Sequence, residues 1–267
     1  MQLHFKSYGA GEPLIILHGL FGSLENWQSV SARLADRFHV FSVDQRNHGA
    51  SPHSPEMSYS IMADDLEEFM ESPQLARAHV MGHSMGGKTA MQFALRYPQR
   101  LMKLIVVDIA PPAYAPRHEK IIDALLGLDL SAHQTRQPLE DALAPAIPDL
   151  GTRRFLLKNL TRRPGGPFQW RLGLRELRQS YPRLSEAVTS GRPSDKAALF
   201  ISGESSDYFR GEDMKRVREL FPRAEHRTIP AAGHLPHVEN QEAFLRTVIE
   251  FLAANRDADG QAPAQSA

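Results

Sequence analysis

The stretch Ala78-His79-Val80-Met81-Gly82-His83-Ser84-Met85-Gly86-Gly87-Lys88 decides the fold of this chain. Ala78 to Met81 reads as a short buried strand, and Lys88-Thr89-Ala90-Met91-Gln92-Phe93-Ala94-Leu95 as the start of an amphipathic helix. Between them, Gly82-x-Ser84-x-Gly86 places a serine on a sharp strand-to-helix turn that lifts its hydroxyl clear of the sheet. Side chains at Gly82 and Gly86 would collide with neighbouring backbone in such a turn. Three fixed positions of this kind recur by chance in roughly one chain of this length in ten. The strand before the motif and the helix after it therefore carry much of its weight.

Outward from the turn, strands and helices alternate. Pro13–Leu17, Phe38–Val43 and Leu101–Val107 read as strands, and Asn26–Leu34 and Tyr59–Met70 as helices. The alternation resumes with a strand at Ala197–Ile201, a helix at Glu212–Leu220, a strand near His226–Ile229 and a last helix from Gln241 to Ala254. Continuous apolar runs such as Leu104-Ile105-Val106-Val107 suit a parallel sheet covered on both faces. The pattern predicts an α/β-hydrolase fold, a mostly parallel central sheet flanked by helices. From 112 to 194 it breaks into helical segments with several prolines and no clear strand. That stretch is expected to be an α-helical lid inserted into a core made of 1–111 and 195–254. Residues 255–267, small and polar, are expected to form a disordered tail. There are no internal repeats.

At 267 residues the chain fits one domain with an insertion, or at most two domains. Lysine plus arginine and aspartate plus glutamate both number 31, so net charge gives no case for nucleic acid or an anionic membrane as partner. The absence of cysteine removes disulfides, thiolate metal sites and a cysteine nucleophile. Met1–Lys6 runs straight into a strand-like pattern with no leader-like segment, and no apolar run approaches the length of a membrane span. A cytoplasmic protein is expected, with the choice between monomer and dimer open.

A serine hydroxyl needs a general base, usually a histidine held in one tautomer by a carboxylate. In this fold the chain order is serine, acid, histidine. His234, in Ala232-Gly233-His234-Leu235-Pro236-His237, follows the last strand and precedes the last helix, which makes it the expected base, with His237 its competitor. Two carboxylates compete as the acid. Asp207 follows the strand ending at Ile201, yet the usual Gly-x-x-Asp spacing from Gly203 meets Ser206. Asp108 ends the strand beside the nucleophile strand. The residues alone favour Asp207 slightly. The developing oxyanion needs donors: Met85 N–H is one, and the second comes from His18-Gly19-Leu20-Phe21-Gly22, with Leu20 N–H the candidate and Phe21 N–H the alternative. The pattern Asp44-x-Arg46-x-x-Gly49-x-Ser51 reads as a structural turn with Arg46 paired locally. His18 and His48 are placed at the edge of the pocket.

Taken together, His18-Gly19-Leu20-Phe21-Gly22-Ser23, Asp44-x-Arg46-Asn47-His48-Gly49, Gly82-His83-Ser84-Met85-Gly86-Gly87-Lys88, Asp108-Ile109-Ala110-Pro111 and Ala232-Gly233-His234 resemble the YbfF-type esterases. These are small α/β-hydrolases with a helical cap, and the resemblance spans residues 1 to about 254. It implies that the acid is the aspartate of Asp-Ile-Ala-Pro, here Asp108, and that the substrates are acyl esters or thioesters.

The lid carries a local basic excess, including Arg153, Arg154, Lys158, Arg171, Arg175 and Arg178. It reads first as a solvated face, and second as a seat for an anionic head group. Phe155, Lys158 and Trp170 are candidates for substrate contact. The expected protein is a serine hydrolase of small-molecule acyl esters or thioesters that needs no metal or cofactor. The same core also serves C–C bond hydrolysis, perhydrolysis or a lyase of menaquinone synthesis. A non-catalytic ligand-binding homologue is the rival from another class.

Overall fold

The computed structural model of the protein describes residues 1–71, 75–162 and 164–254. The expected disordered tail, 255–267, lies outside them. The strands among the described residues are β1 (Phe5–Tyr8), β2 (Glu12–Leu17), β3 (Phe38–Val43), β4 (Ala78–His83), β5 (Leu101–Val107), β6 (Leu160–Arg162), β7 (Phe168–Trp170), β8 (Ala198–Gly203) and β9 (Ala224–Ile229). The helices are α1 (Gln28–Leu34), α2 (Tyr59–Phe69), α3 (Met85–Arg96), α4 (Glu119–Leu126), α5 (Arg136–Leu143), α6 (Leu150–Leu157), α7 (Leu174–Leu184), α8 (Asp213–Leu220), α9 (Pro236–Glu239) and α10 (Gln241–Ala253). None of them is long and apolar enough to cross a membrane.

Seven strands form the central sheet in the order β1-β3-β2-β4-β5-β8-β9. Only β1 runs antiparallel, against β3. Successive side chains of a strand point to opposite faces, so each apolar run feeds two cores. Ile15, Leu17, Val80, Leu104, Val106 and Phe200 pack on one face under α2, α3 and α8. Leu14, Ile16, Met81, Ile105, Val107 and Leu199 pack on the other, under α1 and α10. Stretches buried on both faces are apolar without alternation, as in Leu14–Leu17 of β2 and Leu104–Val107 of β5. Burying each such side chain stabilises the fold by about 1.5–3 kcal/mol.

β5 pairs directly with β8, so residues 108–197 leave the sheet and rejoin it between neighbouring strands. Two hydrogen bonds tie the exit to the return: Val188 N–H to Pro111 O at 2.8 Å and Tyr114 N–H to Ser185 O at 2.9 Å. Within the segment, α4 to α7 enclose a third apolar cluster in which Leu125, Leu139, Leu156 and Leu177 meet Phe21, Tyr59 and Met85 from the sheet side. The segment also contains strand, against the sequence reading. β6 and β7 form a hairpin with Leu160 opposite Trp170 and Arg162 opposite Phe168. Strands of three residues are too short for a period of two to emerge from the sequence.

The parallel strands all end on one side of the sheet, where loops of this architecture meet ligands. The loops after β2, β4, β5, β8 and β9 converge there, carrying His18–Phe21, Ser84, Asp108, Ser206 and His234.

Candidate active site

Ser84 sits between β4 and α3 with φ 51° and ψ −115°. A left-handed backbone at a residue with a Cβ costs about 1–3 kcal/mol and persists only where neighbours enforce it. Here the neighbours are close. A Cβ on Gly82 would lie 2.0 Å from Gly86 O, and one on Gly86 would lie 2.5 Å from Leu17 O. The two glycines let the chain double back on itself, and Ser84 N–H is held by Val107 O at 3.0 Å. Met85 is the first residue of α3, so its N–H has no partner within the helix.

His234 follows β9. Its Nδ1 lies 2.7 Å from Asp108 Oδ2, which leaves Nε2 for the cavity shared with Ser84. The ring stacks on Tyr208 with centroids 3.9 Å apart, and His83 packs at 4.7 Å. His83 Nε2–H donates to His234 O at 2.7 Å. Glu239 fixes the loop from beneath by accepting Gly233 N–H at 2.6 Å and Leu235 N–H at 3.1 Å. His237 has a different place. It is buried, stacked on Trp27 with centroids 4.1 Å apart, and burial pushes its imidazole down to about 3. It is neutral, and no carboxylate pairs with it among the described residues.

Asp108 is fully buried at the tip of β5 with φ 52°. Its Oδ1 accepts Gly203 N–H at 3.0 Å, and its Oδ2 accepts the Ser206 hydroxyl as well as His234. Ser206 is the residue that stands where Gly-x-x-Asp would put an aspartate, and here it is a hydrogen-bond donor to one. Asp207 points away. Its carboxylate pairs with Arg117 at 3.0 Å at the surface, with 59% of its side chain exposed. The carboxylate facing His234 is therefore Asp108, the residue that the resemblance implies, and not the alternative Asp207.

The loop after β2 is held by two neutral histidines. His18 Nδ1–H donates to Gly19 O at 2.8 Å and its Nε2 accepts Gln45 N–H at 3.0 Å. His48 Nδ1–H donates to Arg46 O at 2.9 Å and its Nε2 accepts Phe21 N–H at 3.2 Å. Burial drives the two imidazoles down to about 4 and about 3, respectively. Arg46 pairs with Asp65 on α2 through bonds of 2.5 and 2.7 Å, not with a local acid, and so anchors the loop that carries His48. Phe21 has φ 61°, and its carbonyl accepts Asn159 Nδ2–H at 2.8 Å from the inserted segment. With the Phe21 N–H given to His48, Phe21 is not a free donor. Leu20 lies beside Ser84 on the walls of both neighbouring cavities.

Those cavities flank Ser84. The smaller, about 60 Å³, is walled by Met85, Lys88, Tyr59, Tyr114 and Tyr208. The larger, about 390 Å³, is walled by His234, Trp27, Ile121, Phe155 and Leu235. Phe155 and His18 thus face the larger space, whereas His48 stands behind the loop. Lys158 and Trp170 line neither cavity. Lys158 is exposed at the end of α6, and Trp170 packs against the apolar cluster from the hairpin. Several basic residues of the segment are engaged elsewhere: Arg154 with Glu140, Arg171 with Glu25, and Arg178 with Glu119 and Asp123. The sequence reading gave no role to Ser206, Tyr208, Glu239 or Asn159. None of them belongs to a motif, and only the spacing Gly203-x-x-Ser206 carried a hint.

A family model described as alpha/beta hydrolase fold matches residues 12–137. The chain is 37% identical over 248 residues to the sn-1-specific diacylglycerol lipase ABHD11 of Mus musculus, spanning 90% of this chain and 80% of that one. It is 35% identical over 260 residues to the esterase YbfF of Escherichia coli strain K12, spanning 94% and 99% of the two chains. A solved structure titled as a marine microorganism esterase superposes with a TM-score of 0.91 at 43% identity, over 94% of this chain and 99% of that chain. With the elbow, the sheet order and these relatives in agreement, the chain is a hydrolase that belongs to the α/β-hydrolase family, alongside the YbfF-type esterases.

Proposed function

We propose that the protein cleaves small acyl esters or thioesters through an acyl-enzyme on Ser84. The observation that carries the reading is the buried Asp108 carboxylate on His234 Nδ1, beside a serine on a strained elbow. Ser84 Oγ attacks the substrate carbonyl while His234 Nε2 takes its proton. Asp108 fixes the Nδ1–H tautomer and stabilises the imidazolium. The Met85 and Leu20 N–H groups hold the oxyanion, and each such donor is worth about 3 kcal/mol in the transition state. His234 then protonates the departing alkoxide or thiolate. Water, activated by the same base, attacks the acyl-enzyme and releases the acid. Residues 112–194 act as the lid that closes over this chemistry and shapes both cavities.

The test is hydrolysis of p-nitrophenyl esters from C2 to C16, with fluorophosphonate labelling of Ser84 alongside. Turnover with labelling supports the reading, and the chain-length optimum sizes the pocket. A folded protein that neither turns over nor labels sinks it.

The reading gives Asn159 a place in the rate. Its amide pins the Phe21 carbonyl, and a hydrogen bond of this kind is worth about 1 kcal/mol. Asn159→Ala is expected to lower kcat by about five- to tenfold with little change in KM. A rise in KM at constant kcat would instead assign Asn159 to substrate binding.

A further inference from the structure

His118 is a polar residue beside Ser84 that the proposed acyl transfer does not use. It stands at the start of α4, in the inserted segment, and together with Leu20 and Ser84 it lines both cavities. Its half-buried ring lies edge to face with Phe21 at 6.0 Å and with Tyr181 of α7 at 5.9 Å. The Tyr181 hydroxyl decides which ring nitrogen carries the hydrogen. Its oxygen accepts Arg117 N–H at 3.0 Å and His118 N–H at 2.9 Å. With the oxygen's acceptor sites filled by two donors, its own proton points to the remaining neighbour, His118 Nδ1, at 2.8 Å. Nδ1 is therefore an acceptor, and the ring hydrogen sits on Nε2. Burial, with His234 and Arg117 nearby, pushes the pKa of His118 below the usual histidine value, so the ring is neutral at neutral pH. The Nε2–H has no partner among the described residues.

The two cavities meet at Ser84, so an ester bound there extends its acyl and alkoxy halves into the two spaces and leaves the ester group at the junction, where His118 stands. An ester offers two acceptor atoms. The carbonyl oxygen is engaged by the Met85 and Leu20 N–H groups in the proposed mechanism. The alkoxy oxygen is the acceptor left for a neutral donor that comes from the other side of the site.

We propose that His118 donates its Nε2–H to the alkoxy oxygen of the substrate, so that the inserted segment discriminates between leaving atoms. The inference rests on the acyl-hydrolase reading of Ser84. As the C–O bond breaks, its electron pair passes to the alkoxy oxygen and His234 delivers the proton there. His118 keeps its own proton throughout, and its hydrogen bond strengthens as negative charge develops on that oxygen. A thioester places sulfur at the same point, and divalent sulfur is a weak acceptor. The bond therefore favours departure of an alkoxide and does little for a thiolate. Tyr181 acts through His118, as the positioning residue that holds the donor nitrogen toward the substrate.

The experiment compares ethyl butyrate with S-ethyl thiobutyrate on the full chain, by pH-stat at neutral pH. The two substrates differ in one atom, the leaving oxygen or sulfur. His118→Phe keeps a ring and loses the donor. It is expected to lower kcat/KM for the oxygen ester by about tenfold, the worth of one hydrogen bond, and for the thioester by less than about threefold. His118→Gln, which restores an N–H near the place of Nε2, is expected to recover most of the loss on the oxygen ester. A parallel fall on both substrates, or no fall on either, overturns the proposal and leaves His118 as a cap of α4. A second measurement needs no altered enzyme to be active. Long-range 1H–15N spectra of the wild type, with the His118 signals assigned by their loss in His118→Gln, should show Nε2 protonated and Nδ1 bare. The reverse pattern overturns the proposal even where His118→Phe fails to fold. Cleavage of neither substrate, with Ser84 unlabelled by fluorophosphonate, removes the acyl-hydrolase reading and this inference with it.

Discussion

Replacing Ser84 with alanine is expected to lower kcat on a p-nitrophenyl ester by about six orders of magnitude, to the residue of catalysis that binding and oxyanion donors supply alone. The variant loses the nucleophile and keeps the base, so His234 has no proton to take. The fold should survive, because the elbow is enforced by Gly82, Gly86 and the bond from Ser84 N–H to Val107 O, none of which uses the hydroxyl. Alanine still pays for φ 51°, whereas glycine does not. Ser84→Gly should therefore melt above Ser84→Ala, by the equivalent of about 1 kcal/mol. Equal activity in wild type and Ser84→Ala would remove the covalent mechanism.

The second large effect concerns the acid. Asp108→Asn is expected to reduce kcat by about four orders of magnitude, and Asp207→Asn by less than threefold. An asparagine amide at 108 presents donors to His234 Nδ1 and favours the wrong tautomer. It also faces Ser206 and Gly203 N–H, which are donors built for a carboxylate. Asp207, paired with Arg117 in solvent, has at stake only a surface ion pair worth about 0–1 kcal/mol. Parallel kcat/KM measurements on the two variants decide the matter, and the reverse ranking would move the acid to Asp207.

The central sheet was legible because its strands are buried on both faces. Leu14 to Leu17 and Leu104 to Val107 leave no room for another reading, and a parallel pair of that kind requires covering helices. Ser84 was legible because its turn admits few residue types at 82 and 86. His234 was legible by its order in the chain and by Gly233 before it. The carboxylate was harder. A spacing rule reads one strand and the loop after it, while Asp108, at the tip of β5, meets His234, which follows β9, across the end of the intervening β8. The inserted segment was least legible. Its hairpin is too short to show a period, and its contacts with the core are made by single side chains such as Asn159. Lys158 and Trp170 were chosen for chemistry suited to a substrate, but their places after α6 and on β7 decide which walls they line, and residue type does not encode those places.

Ser206 and Asp108 have a consequence beyond this one site. The tips of β5 and β8 converge on a single point in front of the histidine, and the chain fills it with an acid from one tip and a hydroxyl from the other. The seat thus lies within reach of both strand tips, since the Ser206 hydroxyl and the Asp108 carboxylate touch in it. A rule that asks for an aspartate three residues after Gly203 meets Ser206 and passes over Asp108. The complementary signature is a small hydroxyl residue three after the glycine, together with an aspartate closing the strand next to the elbow.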